Sequence, residues 1–162
     1  MRQQLEFFQA GSEVKRYHTV TTIQQETVGH HSHGVAMILM ILMDDNCPGY
    51  LLAEALLHDL AEHQTGDIPS PAKIKYGIGE QVSDLEERLL RGTNFCRPNI
   101  ADYERRMLKL ADIAQGAMFC AREISLGNSK MRVIFDRYIS YAENLMLMGR
   151  ERELFDIIKG SV

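Results

Sequence analysis

The sequence predicts an all-α protein, and three observations carry that expectation. Apolar residues recur at spacings of three and four nearly everywhere. Alternation of the strand kind, bounded by turn signals, is confined to Tyr17 to Ile23. Glycines and prolines fall between the periodic stretches, where helices stop. On this basis helices are expected at about 2–10, 31–45, 49–64, 79–91, 99–126, 129–147 and 150–159. The second is the apolar run that follows His30, His31 and His33, with Ser32 as a possible cap. Pro48-Gly49 separates it from the third, and Gly66-Asp67-Ile68-Pro69-Ser70-Pro71 is expected to end the third. The fifth, the longest, carries Leu108, Leu110, Ala111, Ile113 and Ala114; Gly127-Asn128 and Gly149 delimit the last two. Ser12 to Gly29 is rich in β-branched and polar residues and is expected to cross the surface in extended form.

The length suits one domain with one core, spanning residues 1–162, of ordinary globular composition. A formal charge of -4 argues against a nucleic-acid polymer as partner, since such a partner wants a basic face. Cys47, Cys96 and Cys120 form no CxxC pair and leave an odd thiol under any pairing, as expected of small apolar residues in a reducing cytoplasm. The longest apolar run, Val35 to Met43, falls far below the roughly 18 residues of a membrane span, and Glu6-Phe7-Phe8 lacks the layout of a signal peptide. No membrane partner is expected.

The chemistry concentrates in a few polar residues set among apolar ones. On the expected third helix Glu54, His58 and Glu62 are i,i+4 neighbours on one face, while Leu56, Leu57 and Leu60 serve the core. Asp59, roughly a hundred degrees around the helix, can still converge with His58 on an ion in front of them. An isolated His-Asp pair is more often a histidine satisfied by a carbonyl beside a solvated acid. Asp112 changes that balance. It interrupts the most apolar part of the longest helix, where a carboxylate needs a cation or a metal, with Arg105, Arg106 and Lys109 as competing partners. Among the first histidines, His30 and His33 read as exposed cap residues and His31 as the inward one. Two imidazoles and two carboxylates from separate helices can close around one divalent cation and leave positions for water and substrate. That points to metal-assisted hydrolysis. Templates for a P-loop, a nucleophile elbow, HExxH and GxGxxG are absent, and no histidine follows His63, so a single ion is expected.

With these residues in view the chain resembles the HD-domain phosphohydrolases, in which an H…HD…D series supplies metal ligands on a helical scaffold. It is most similar to the bacterial 5′-deoxynucleotidase branch and its phage relatives, the dATP triphosphohydrolases. Arg16-Tyr17, Glu26, His30-His31-Ser32 and Val35-Ala36 resemble the opening of that branch. Leu57-His58-Asp59-Leu60-Ala61-Glu62, Thr65 to Lys73 and Leu110-Ala111-Asp112 resemble its later motifs, over roughly residues 14–130. The resemblance implies an HD-domain helical bundle with His31, His58, Asp59 and Asp112 as ligands of one divalent transition metal, Zn, Mn or Co, with Mg able to accompany substrate phosphates. It implies Glu62 as acid/base, Asp67 as acceptor for a sugar hydroxyl and Arg16 as a phosphate contact, with Lys73 or Lys75 assisting. Tyr17 stands where the bacterial enzymes have tryptophan and is expected either to stack on the base or to plug the core. His30 stands where they often have glutamate.

The expected activity is hydrolysis of a deoxynucleotide at the α-phosphorus, with dATP the favoured substrate, giving deoxyadenosine and triphosphate, and with dADP and dAMP also accepted. The alternatives are a broad deoxynucleoside 5′-monophosphatase and, in another class, a non-catalytic nucleotide-binding adaptor that docks through a Met-rich surface. A homo-oligomer is expected, in the cytoplasm of the cell or, for a phage-encoded chain, of its host.

Overall fold

A computed structural model of the chain describes residues 1–44, 46–95 and 97–162. Cys96 lies outside them, as does Asp45 at the expected end of the second helix. The regular elements of the described residues are helices, α1 (Arg2–Ser12), α2 (Val28–Leu42), α3 (Gly49–Leu57), α4 (Glu62–Thr65), α5 (Ser70–Tyr76), α6 (Gly79–Gly92), α7 (Asp102–Ser125), α8 (Arg132–Glu143) and α9 (Arg150–Lys159). Among them the nearest approach to a strand is an isolated bridge between Lys15 and Thr27. No helix there is long and apolar enough to cross a membrane.

The core is built around α7. Apolar side chains face inward on nearly all sides of it, from Met107 and Leu110 through Ile113 and Ala117 to Cys120, because α2, α3, α8 and α9 all pack against it. A surface helix would bury one stripe; this one is enclosed. The helix is opened by Glu104, whose carboxylate accepts from the Ala101 N–H at 2.7 Å. Facing it, α2 buries Val28, Val35, Ile38, Leu39 and Leu42. Its N-cap is Thr27, whose hydroxyl accepts from the His30 N–H, and not Ser32, which lies buried a turn further on.

The structure corrects three expectations of secondary structure. The expected helix 49–64 is broken. It runs regularly only to Leu57, after which Leu60, Glu62 and Gln64 donate to the carbonyls three residues earlier, at 3.1, 3.0 and 3.1 Å. His58 Nδ1 takes the Ala55 carbonyl at 2.7 Å, an acceptor that a continuing α-helix would use for the Asp59 N–H. Residues 70–76 are helical rather than the end of a stop signal. Pro71 sits in the first turn of α5, where its missing N–H costs nothing. The expected helix 129–147 is shorter, with Ser129–Met131 a turn of 3₁₀ helix ahead of α8, while α9 keeps the expected 150–159.

The segment between α1 and α2 is also not a plain surface crossing, since Arg16 and Glu26 are buried in it. Glu123 fastens this loop to α7. Its carboxylate accepts from the backbone N–H groups of Ile23 and Gln24, both at 2.7 Å, and from Asn128 Nδ2 at 2.8 Å. Burial acts to raise the Glu123 carboxyl, and these donors outweigh it, holding the group below its ordinary range. A carboxyl with a depressed folded value adds stability above its unfolded value and loses it as the pH falls through the folded one. Glu123→Gln is therefore expected to destabilise the protein by about 1.5–3 kcal/mol at neutral pH, the value of hydrogen bonds to a charged group. Urea melts of both proteins check it: the gap should close on acidification, and equal midpoints at pH 7 would remove this role.

Candidate functional site

The break after Leu57 builds the site. His58 and Asp59 sit in the tightened turn, so that His58 Nε2 lies 3.2 Å from Asp59 Oδ2. The same oxygen lies 3.6 Å from Nε2 of His31, the fully buried imidazole of α2, and Asp112 of α7 brings its Oδ1 to 3.3 Å from His31 Nε2. His31, His58 and Asp112 each offer a donor atom within 4.8 Å of the others, with Asp59 at the edge of the group. The four residues singled out from the sequence therefore meet. His30 and His33 point to solvent, as expected of them.

Whether these residues suit a metal ion is decided by the imidazoles. Each has its Nδ1 engaged, His31 by Gln115 Oε1 and His58 by the Ala55 carbonyl. Each leaves Nε2 buried without a hydrogen bond, although carboxylate oxygens lie close by. Histidine ligands to metals are held in this way, one nitrogen tied to a carbonyl or amide oxygen and the other lone pair aimed at the ion. The donor set fits a divalent cation. The field of the site agrees: burial opposes ionisation of Asp59 and Asp112, yet His58 and Arg16 for the one and His31 and Lys109 for the other keep both carboxyls well below the usual range. Burial likewise lowers His58, and Asp59 outweighs it to raise that group. Such a field draws any cation to Nε2, whether a proton or a metal ion.

Of the competing partners for Asp112, Lys109 is engaged, at 2.8 Å from the second carboxylate oxygen. Arg106 is instead paired with Glu151, and Arg105 donates to the Ile100 carbonyl. Lys109 thus takes Oδ2 and leaves Oδ1 to the imidazole side.

Glu62 follows in the next turn, buried, with Oε2 unpartnered. Burial first, then the negative charges of Asp59 and Asp67, push its carboxyl up to about 9. It holds a proton at neutral pH. Glu54, expected on the same face, belongs elsewhere, its carboxylate bound by Arg97 through Nε at 2.8 Å. The early break of α3 separates the two acids.

Arg16 donates from Nη1 to Asp59 Oδ2 at 3.0 Å and from Nε to Glu26 at 3.3 Å. Its Nη2 has no protein partner among the described residues. Next to it Tyr17 turns the chain at a φ of 56° and gives its N–H to Asp67 Oδ2 at 3.3 Å. The Tyr17 ring stacks on Phe119 at 4.7 Å and its hydroxyl meets Tyr138 at 3.0 Å, so one face is spent on the core. Lys73, half-buried on α5, opposes the rise of the Glu62 and Glu86 carboxyls through its charge, whereas Lys75 lies over the Tyr76 ring. Sequence reasoning gave no role to Gln115 or Glu123. Each was legible only as a polar residue interrupting an apolar face of the longest helix.

Comparison with known proteins follows the same lines. The sequence profile described as HD domain matches residues 12–106. The chain belongs to the HD domain family. Within this HD domain the match takes in Arg16, His31, His58, Asp59, Glu62 and Asp67, and stops short of Asp112. The chain is similar to the 5′-deoxynucleotidase YfbR of Salmonella arizonae, with 27% identity over 166 residues, 87% of this chain and 80% of that protein. It is also similar to the dATP triphosphohydrolase of Salmonella phage PMBT28, with 27% identity over 165 residues, 89% of this chain and 84% of the relative. In fold it matches the HD phosphohydrolase DatZ of cyanophage S-2L, solved with dA and one catalytic Zn²⁺, at a TM-score of 0.72 and 18% identity over 96% of each chain.

Proposed function

We propose that this HD domain is a metal-dependent deoxynucleotide 5′-phosphohydrolase that acts at the α-phosphorus, with dATP as its preferred substrate and deoxyadenosine and triphosphate as products. dADP and dAMP share the attacked phosphorus and are accepted as well. The observation that carries the reading is the pair of buried, unbonded imidazole Nε2 atoms facing two carboxylates, with the proton-bearing Glu62 beside them. The activities named for the two similar proteins, and the dA and Zn²⁺ in the structural neighbour, support the choice of substrate class and cofactor.

His31, His58, Asp59 and Asp112 hold one divalent ion, Zn, Mn or Co. Bound there, the ion supplies Lewis acidity toward the phosphate and an acidified water. The chain does the rest. Arg16 offers Nη2 to a phosphoryl oxygen, and Lys73 balances further negative charge. Glu62 gives its proton to the 5′-oxygen as the bond from that oxygen to phosphorus breaks, the attacking water oxygen forms the new bond to phosphorus, and the proton that water gives up restores Glu62. Asp67, tethered at Oδ2 by the Tyr17 N–H, uses its other oxygen for the 3′-hydroxyl, and Tyr17 walls the base side. The whole chain, residues 1–162, acts as one unit in the cytoplasm, where Cys47 and Cys120 stay free thiols, and associates as a homo-oligomer through exposed apolar residues such as Met37, Met118 and Met146.

A nucleotide panel tests this, with Mn²⁺, Co²⁺, Zn²⁺ or Mg²⁺ added and products resolved by chromatography. Deoxyadenosine with intact triphosphate is expected from dATP, together with slower turnover of ATP and of the 2′,3′-dideoxynucleotide, which leaves the Asp67 carboxylate unpaired. Release of dADP and single phosphate, or of dAMP and pyrophosphate, would overturn the site of attack. Equal rates with the 2′,3′-dideoxynucleotide would remove the Asp67 sugar contact, equal rates with ATP would remove the preference for the deoxy sugar, and silence across the panel would favour a nucleotide-binding adaptor.

A further inference from the structure

We infer that Gln115 is a positioning residue that fixes the His31 proton on Nδ1 and thereby keeps Nε2 as the ligand lone pair. The inference rests on the metal-dependent reading above and goes beyond it, since Gln115 touches neither metal nor substrate. Gln115 lies one turn beyond Asp112 on α7 and reaches across to α2. Its Nε2 is 2.7 Å from Glu26 Oε1, and its Oε1 meets His31 Nδ1.

The direction of each hydrogen bond follows from one ion pair. Glu26 is buried and accepts from Arg16 Nε through its other oxygen, at 3.3 Å, and in such an ion pair both its oxygens accept. The amide of Gln115 must therefore turn its NH₂ toward Glu26 and its oxygen toward His31. An amide oxygen accepts only, so His31 must donate from Nδ1. In the neutral ring the lone pair is then left on Nε2, the atom that faces Asp59 and Asp112. Arg16 closes the ring by donating to Asp59 at 3.0 Å. The two ends of the site, His31 and Asp59, are thus joined through Gln115, Glu26 and Arg16.

A second observation is independent of hydrogen bonding. Gly34, one turn beyond His31 on α2, faces Gln115 so closely that a Cβ there would lie 2.7 Å from Gln115 Cγ. A mid-helix glycine is less favourable than alanine by about 1 kcal/mol, and here its missing side chain makes the room in which Gln115 lies. Gly34→Ala therefore displaces Gln115 without deleting it, on a helix that alanine intrinsically favours.

The test uses the full chain and two readouts. Zn²⁺ and Mn²⁺ affinities are measured by chelator competition, and the His31 tautomer is read from two-bond proton–nitrogen correlations of the metal-free, histidine-labelled protein above neutral pH. Gln115→Met, close in shape but unable to accept from Nδ1–H, is expected to bind metal about 10–100-fold more weakly, the usual loss when a ligand's orienting partner is removed, and to move the His31 proton partly to Nε2. Gly34→Ala should move both readouts the same way. Thermal melts identify any variant that fails to fold, and Gly34→Ala then stands in for Gln115→Met. An unchanged tautomer in folded Gln115→Met and Gly34→Ala overturns the inference whatever the metal affinity does. Because the tautomer is read without metal, a wild-type chain that binds no metal would count against the proposed function and leave Gln115 to be judged on its own.

Discussion

Replacing His58 or Asp112 by alanine is expected to strip the purified protein of divalent metal and to slow hydrolysis of dATP by at least about a thousandfold, since Lewis-acid help at a phosphoryl centre is worth several kcal/mol. The helical circular dichroism should persist. The residues explain both halves of that result. His58 Nε2 and Asp112 Oδ1 face the space between the helices, and neither side chain is part of the apolar packing that holds α2 against α7. Removing Asp112 also removes a negative charge from a crowded acidic site and frees Lys109, itself half-exposed, to return to solvent. Elemental analysis together with single-turnover rates checks the expectation. Both variants keeping full metal content and normal rates would dismiss the four-residue centre.

Glu62→Gln should behave differently. Glutamine preserves the volume of a buried side chain while abolishing the proton that Glu62 holds, so metal and nucleotide should bind as before. Turnover should fall at least about a hundredfold, the lower end of what a general acid or base contributes. The decisive comparison is with His58→Ala: loss of rate at full metal occupancy separates proton transfer from ligation. A Glu62→Gln protein with wild-type rate would assign the residue to packing.

What the sequence discloses of this fold follows from how strongly each feature is written in periodicity. α2 and α7 are legible because Val35 to Leu42 and Leu108 to Ala117 leave little choice but burial, and in that setting His31 and Asp112 stand out. The break at His58 is not legible, because Leu57 to Glu62 contains no glycine or proline. The chain turns there through the His58 side chain competing for the Ala55 carbonyl, a local choice that leaves no mark in composition. α5 was hidden by its prolines, which signal the end of one helix and the start of the next equally well. The Gln115 amide was invisible for another reason: its meaning lies in Glu26, far away in sequence and brought close by the loop that Glu123 fastens.

That arrangement has a consequence for how the protein can vary in length. Asp112, Gln115 and Glu123 occupy one uninterrupted helix, and each must face its own partner, the imidazoles, the Glu26 carboxylate and the backbone of residues 23–24. Each residue added to a helix turns everything after it by about a hundred degrees. A single insertion between Asp112 and Glu123 would aim the distal clamp away from its loop, and the loop would carry Arg16 and Tyr17 with it. In surface loops generally the chain can lengthen or shorten. Within α7 it is a ruler, and it can be altered by substitution but not by counting.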